Sequence, residues 1–158
     1  EIKIVFTKTI QSVFINDENI FSIKDKDYNS DEIYDLAFES GKFSRFFLDT
    51  KFKKTKFQEL YKKWVDNSIS NIFADDLLIY ILNGRLEGFV TYKINNKTAT
   101  IGLIAVSPTQ QGKGIGGKLI KAVENVLFKK NVNELLIPTQ QSNKLLKMYF
   151  LKTKLRPY

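Results

Sequence analysis

The residues of this chain that could do chemistry gather in one run, Ile104-Ala105-Val106-Ser107-Pro108-Thr109-Gln110-Gln111-Gly112-Lys113-Gly114-Ile115-Gly116-Gly117-Lys118-Leu119-Ile120. An apolar strand stops at a proline, glycines follow at 112, 114, 116 and 117, and an amphipathic helix opens directly behind them. Glycines strip side chains from the loop, so backbone N–H groups can approach a ligand, and the positive end of the helix dipole points at the same place. That arrangement suits a phosphate. The register Gly112-x-Gly114-x-x-Gly117 lacks the strand and acidic residue that the ribose of a dinucleotide needs, and Gly117-Lys118 is followed by Leu119 where a P-loop carries Ser or Thr. The pattern that fits is Gln111-x-x-Gly114-x-Gly116, preceded by Val106-x-Pro108.

Composition restricts what else could react. Among 158 residues there is no histidine and no cysteine, which removes disulfides, thiol nucleophiles, imidazole bases and His/Cys metal sites, so no metal is expected. Chemistry must run on a cosubstrate, Tyr, carboxylates, Lys or backbone dipoles. The net charge of +8 calls for anionic partners. The lysines are spread without regular aromatic interleaving, which argues against nucleic acid. No apolar run is long enough to span a bilayer and no signal peptide is present, so neither membrane association nor export is expected, and a cytoplasmic location is. The length fits a single domain over residues 1–158; the chain starts at Glu1 and its one methionine is Met148, which points to missing N-terminal residues.

The elements that must position the run can be read from periodicity. Ile2 to Phe6 reads as a strand, and a short apolar piece lies around Asn19 to Ile23. Asn29, with Glu32 three residues on, caps a helix with Ile33, Leu36 and Ala37 on one face, closed by Gly41. Ser40 to Phe47 reads equally as a binding loop or as aromatic residues plugging a helix connection. Thr55 and Gln58 cap the clearest helix, which carries Phe57, Leu60, Tyr61, Trp64 and Val65 at i, i+3, i+4, i+7 and i+8, with Trp64 in the core by default and ligand stacking as its alternative role. The lysines at 51, 53, 54 and 56 read as a solvated face. A three-stranded meander follows: Leu77 to Leu82, a turn at Asn83-Gly84, Leu86 to Ile94, a turn at Asn95-Asn96-Lys97, and Thr98 to Val106. The helix after the loop turns Leu119, Ile120, Val123, Val126, Leu127 and Phe128 inward, Glu134 to Thr139 is a strand, and a last helix opens at Ser142/Asn143.

The glycine run resembles the coenzyme A loop of the GCN5-related N-acetyltransferases (GNAT), where Q/R-x-x-G-x-G/A holds the pyrophosphate. A closer resemblance, over about residues 32 to 150, is to the TDP-fucosamine acetyltransferase family. It is carried by Leu36-Ala37 through Ser44-Arg45-Phe46, Trp64-Val65-Asp66-Asn67, Leu86 to Thr91, Ala99 to Leu103 and Thr139-Gln140-x-x-Asn143. Those enzymes acetylate the 4-amino group of a dTDP-4-amino-4,6-dideoxyhexose for cell-surface polysaccharide. The resemblance implies an α+β GNAT fold: a mixed, mostly antiparallel central sheet with flanking helices and strands splayed at the acetyl-CoA site. It implies acetyl-CoA as cosubstrate and direct attack by the amine.

Carried over residue by residue, pantetheine pairs with backbone near Ile104, Ala105 and Val106. The pyrophosphate lies on N–H groups of Gln111, Gly112, Lys113, Gly114, Ile115 and Gly116. Asn143 holds the pantetheine arm, and Ser44, Arg45 and Phe46 face the acceptor or its diphosphate. Two departures stand out. Thr100 occupies the place of the glutamate base of histone-type members, leaving water, Glu87 or Glu39, the last two read as surface charges. The tyrosine that would protonate the thiolate falls at Phe150 by count, with Tyr149 one residue short. Tyr149 is the assignment made, because it is the only suitable donor in that helix. The glycine-phenylalanine pair that usually follows is absent and the sequence stops where a last strand would begin, so either residues are missing there or the sheet is finished differently. A homodimer through that edge stays open, as do another amine acceptor and a fold that binds coenzyme A without turnover.

Overall fold

The computed structural model describes residues 3–11, 15–140, 143 and 156–157. In chain order these form β1 (Lys3–Thr9), β2 (Ile20–Ser22), α1 (Ser30–Gly41), α2 (Arg45–Leu48), α3 (Lys54–Ile69), β3 (Asp76–Leu82), β4 (Arg85–Asn95), β5 (Thr98–Val106), α4 (Ile115–Lys129), β6 (Glu134–Gln140) and β7 (Arg156–Pro157). The strands make one mixed, mostly antiparallel sheet in the order β2-β3-β4-β5-β6-β1-β7, in which β5 and β6 run parallel. Each expected meander strand is present. Asn83 and Gly84 both have positive φ, as a two-residue turn of the I′ type requires.

Helices cover both faces. Along β3 the apolar run alternates, Leu77 and Ile79 packing with α1 and α3 against Ile33, Leu36, Phe57 and Val65, while Leu78 and Tyr80 pack with α4 against Leu119, Val123 and Leu127. A strand buried on both sides reads as continuous hydrophobicity, which is why its sequence shows no polar face. Fully burying a side chain such as Phe57 or Leu119 contributes about 1.5–3 kcal/mol.

Two bulges break this alternation. In β4, Tyr80 pairs with Gly88 but Ile81 pairs with Leu86, so Glu87 is the extra residue. In β5, Val90 pairs with Ile104 but Tyr92 pairs with Ile101, so Thr91 faces Gly102 and Leu103 together. Across the second bulge the faces exchange: Ala99 and Ile101 pack on the α4 side, whereas Leu103 and Ala105 pack on the α1–α3 side. The Leu103 N–H, freed from the ladder, donates to Thr91 Oγ1 at 2.9 Å. A Cβ at position 102 would lie 2.9 Å from that hydroxyl, so glycine is what lets the two meet.

Beyond β6 the sheet is completed from the start of the sequence, since β1 pairs antiparallel with β6 from Lys3↔Gln140 to Thr9↔Glu134 and β7 adds to β1. Across the other face, Asp17 in the segment after β1 bonds Lys118 Nζ of α4 at 2.8 Å. That hydrogen bond is the main reason the Asp17 carboxyl titrates below its usual range. The phenol of Tyr34 donates to Asp66 at 2.7 Å, tying α1 to α3, and the bond pushes its pKa up to about 12.

Some local expectations are corrected. Asn29 does cap α1, its side chain accepting from the Asp31 N–H. Gly41 does close α1 as its last helical residue, but without a left-handed φ; what requires glycine there is that a Cβ would lie 2.4 Å from Tyr61 Cζ. Thr55 does not cap α3, because Lys53 is the last extended residue and the helix starts at Lys54, so Thr55 lies inside the first turn. Phe128 turns out to be 42% exposed, while Leu127 beside it in the last turn of α4 is fully buried. The helix expected from Ser142 falls outside the described residues apart from Asn143.

Thr91→Val should leave the Leu103 N–H without its partner and cost about 1–3 kcal/mol in urea unfolding, with Thr91→Ser recovering most of it. Gly41→Ala should cost a similar ~1–3 kcal/mol by overpacking against Tyr61, and the pair Gly41→Ala with Tyr61→Leu should recover part of that loss.

Candidate active site

The site begins where β5 and β6 part. They pair only at Thr98↔Glu134, Ala99↔Leu135 and Thr100↔Leu136, and beyond these the backbone groups of β5 that face away from β4 have no strand partner. Pro138, in the middle of β6, pairs with Val5 of β1 and has no N–H to offer toward the gap. A proline inside a strand is tolerated on an open side, and here the open side is the gap.

A cavity of about 520 Å³ fills this gap on the α1–α3 side. It is lined by Ile101, Gly102, Leu103 and Ile104 of β5, by Pro138, Thr139 and Gln140 of β6, and by Asn143 just after it. The helical layer contributes Ser40, Ser44, Arg45, Phe46, Tyr61 and Trp64, and β1 contributes Lys3. Thus Ser44, Arg45 and Phe46, named from sequence for the acceptor, share one cavity with Ile104 and Asn143, named for the pantetheine.

Local structure explains how these residues are held. Ser44 is buried and caps α2, its Oγ accepting from the Phe47 N–H at 3.4 Å, so the segment after α1 is a short helix rather than an open loop. Phe46 packs on Phe52 with ring centroids 5.3 Å apart, and the exposed Arg45 guanidinium lies 4.8 Å from the Phe46 centroid. Asn143 is buried, and its backbone N–H donates to the Gln140 carbonyl at 3.0 Å. Trp64, expected in the core, is half-buried and lines the cavity beside Tyr61, with ring centroids 5.8 Å apart. The lysines at 51, 53, 54 and 56 are exposed, as a solvated face requires.

The glycine run sits at the end of β5. The Ser107 N–H donates to the Glu87 carbonyl at 2.8 Å, extending the β4–β5 ladder by one rung, and Pro108 to Gln110 form a 3₁₀ turn. Gly112 and Gly114 have φ of +78° and +84°, and a Cβ at either would meet nothing within 4 Å. The loop is therefore a cradle open to solvent whose shape only glycine adopts without strain. Gly114 is the N-cap of the 15-residue α4, so the first N–H groups of a long helix face the cradle. Among the described residues, no loop hydrogen bond takes the N–H of residues 111–116. These donors fit a pyrophosphate. Lys118 does not add to them, because its ammonium is held by Asp17 and lies over the Tyr80 ring at 5.7 Å.

Gln111 bonds within the protein, its side-chain amide donating to the Val106 carbonyl at 3.1 Å and to Glu39 Oε1 at 3.3 Å. Lys113 reaches Gln110 Oε1 at 3.0 Å. The two carboxylates read as surface charges are not simply that: Glu87 is buried and accepts from the Ser107 hydroxyl, and Glu39 is held by Lys42 and Gln111. Neither lines the cavity, and neither does Thr100. Tyr149 and Phe150 lie outside the described residues. No group of His, Cys, Asp and Glu among the described residues could hold a metal ion, and none of the described helices is long and apolar enough to cross a membrane.

Lys3, Tyr61, Gly102 and Pro138 line the cavity without having been named for the site from sequence, and Trp64, read as core with ligand stacking as its alternative, lines it too. Two of them had a signal: a glycine inside the apolar strand 98–106 marks a bulge, and a proline inside 134–139 marks a strand that is open on one side. Lys3 had none, because its strand joins the sheet far from its place in the sequence.

Comparison with known proteins agrees with this geometry. Among solved structures, the chain superposes on the PaiA N-acetyltransferase of Thermoplasma acidophilum, a complex with coenzyme A, with TM-score 0.63 and 22% identity over 85% of this chain and 86% of that one. It superposes on the ribosomal-protein-S18-alanine N-acetyltransferase of Escherichia coli with TM-score 0.61 and 18% identity, covering 85% and 75%. A GNAT-family protein of Novosphingobium aromaticivorans gives TM-score 0.63 at 12% identity over 98% of this chain, which spans only 60% of that protein's length. At these identities the likeness is one of fold. No curated protein sequence matches the chain. The sequence profile described as the Acetyltransferase (GNAT) family matches residues 31–150, from the first turn of α1 past the glycine run and Asn143. With the parted strands, the open glycine cradle and that match in one chain, it belongs to the acetyltransferase (GNAT) family, whose cosubstrate is acetyl-CoA.

Proposed function

We propose that this chain transfers the acetyl group of acetyl-CoA to the amine of a nucleotide-linked amino sugar, the 4-amino group of a dTDP-4-amino-4,6-dideoxyhexose. The observation that carries the reading is the single cavity between β5 and β6, which joins Ile104 and Asn143 on the cosubstrate side to Ser44, Arg45 and Phe46 on the acceptor side. Its support for a sugar nucleotide is the Ser44-Arg45-Phe46 and Thr139-Gln140-x-x-Asn143 resemblance, together with an arginine fork suited to phosphate oxygens.

Acetyl-CoA supplies an acyl group already activated as a thioester. The chain's task is then to position, polarise and protonate. In this reading the N–H groups of Gln111 to Gly116 bind the pyrophosphate with the α4 dipole behind them. Backbone of Ile104, Ala105 and Val106 aligns the pantetheine along the unpaired side of β5, and Asn143 fixes its arm. Tyr149 gives its phenolic proton to the departing sulfur. No carboxylate lines the described cavity, so the ammonium proton of the acceptor leaves to water before attack.

Release of free thiol from acetyl-CoA reads the reaction directly, because the protein has no cysteine to add background. Thiol release should depend on a dTDP-4-amino-4,6-dideoxyhexose and fall by about 100-fold or more in kcat for Tyr149→Phe, with the acetyl-CoA KM held. Acetyl-CoA bound tightly without release for any amine would overturn the enzymatic reading. Gly114→Ala, forced into a left-handed conformation that costs about 1 kcal/mol, should weaken acetyl-CoA binding by roughly fivefold in calorimetry.

A further inference from the structure

The described walls of the cavity carry two cations and no anion: Lys3 and Arg45 line it, and no Asp or Glu does. Five other lysines are matched to carboxylates, Lys8 to Glu124, Lys42 to Glu39, Lys56 to Glu59, Lys93 to Asp75 and Lys118 to Asp17, whereas among the described residues no salt bridge holds Lys3 or Arg45. The Arg45 guanidinium rests on the Phe46 ring, a contact with the flat face that leaves the N–H fork at its edge for a ligand.

Strand register puts the two charges in the same concavity. Ile4 and Phe6 of β1 pack into the α4 core, so by period-two alternation Lys3 turns to the opposite face, which is the cavity side. Lys3 pairs with Gln140, itself a lining residue just before Asn143, while Arg45 opens α2 on the facing helical wall. Both side chains are exposed, and two like charges lining one concavity add to a positive potential there.

We infer that Lys3 and Arg45 together hold an anionic group of the acceptor, so that Lys3 is a specificity-determining residue and the amine acetylated belongs to a molecule carrying phosphate or carboxylate. This rests on the reading that the cavity takes the acceptor. It goes beyond that reading by assigning β1, through Lys3, a part in holding the acceptor's anionic group beside Arg45. An acceptor with further positive charge, such as a polyamine, meets two cations and no counter-charge, while the Phe46, Tyr61 and Trp64 rings offer apolar surface to the body of an anionic one.

The test uses one 4-amino-4,6-dideoxyhexose in three forms: linked to dTDP, as its carboxymethyl glycoside, and as its neutral methyl glycoside. Wild type, Lys3→Glu, Lys3→Gln and Arg45→Glu are compared by kcat/KM, and binding of dTDP and of both glycosides is followed by calorimetry at 50 and 200 mM salt. The expected result is a wild-type preference for one anionic form over the neutral one that falls about tenfold in Lys3→Glu, less in Lys3→Gln, and shrinks with salt. The form preferred tells a phosphate source from a carboxylate one. Equal use of neutral and anionic forms, or a preference that Lys3→Glu leaves in place, would overturn the inference while acetyl transfer stands. Should no form be acetylated, the transfer reading fails, and the binding arm still decides: anion binding lost in Lys3→Glu supports the anion site, and binding no tighter than that of the neutral glycoside refutes it.

Discussion

Two parallel strands that separate while packed on a common helix leave backbone donors and acceptors facing a gap, and buried backbone groups without partners are costly. Here the separation starts after Thr100↔Leu136 and is enforced from both sides. In β5, the bulge at Gly102 and Leu103 bends the strand and exchanges its faces, with the Thr91 hydroxyl satisfying the N–H that the bulge releases. In β6, Pro138 removes one donor from the opposite rim and so reduces the cost of leaving that rim unpaired. The gap is thus built into the covalent sequence of both strands, and the polar edge that remains on β5 suits an amide-bearing ligand such as pantetheine.

The rest of the site hangs on that gap. β5 delivers Ser107 and Pro108 to the mouth, the glycine run turns there, and α4 leaves with its N-terminus aimed at the same region. Helices α1 to α3 roof the other side, with Gly41 letting Tyr61 come close and Ser44 capping the short helix that carries Arg45. The open glycine loop lies just past the end of β5, and among the described residues Lys3 and Arg45 are the cations that line the cavity. This division of labour is what a reaction needs when one substrate brings a pyrophosphate and an activated acyl group and the protein has no imidazole or thiol to contribute.

Much of this was readable beforehand for reasons that can be named. The glycine run was legible because its chemistry is local: strand, proline, glycines and helix occupy consecutive residues, and the positive φ at Gly112 and Gly114 follows from residue type. The meander was legible because Asn83-Gly84 and Asn96 are turn residues between apolar runs. Where the reading erred, a long-range contact had replaced a local rule. Gly41 ends α1 as read, but glycine is required there by the approach of Tyr61 and not by a left-handed φ; Glu87 looked like a surface charge and is buried at a bulge against Ser107. Trp64 had the period of a core residue, which it keeps, but the wall it helps to build encloses a cavity rather than solid core.

What the sequence alone determined was the class of chemistry. The absence of His and Cys, the excess positive charge and Gln111-x-x-Gly114-x-Gly116 ahead of a helix pointed to a phosphate-bearing ligand, because each depends on residue type or on neighbours in the chain. What only the tertiary structure decided was which side chains share the cavity. Lys3 stands beside Gln140 because β1 crosses to the far side of β6, and Arg45 faces them because α1 and α3 pack on one face of the sheet. Those approaches are fixed by strand pairing between distant segments and by burial of the helices' apolar faces, neither of which leaves a local mark at the residues brought together.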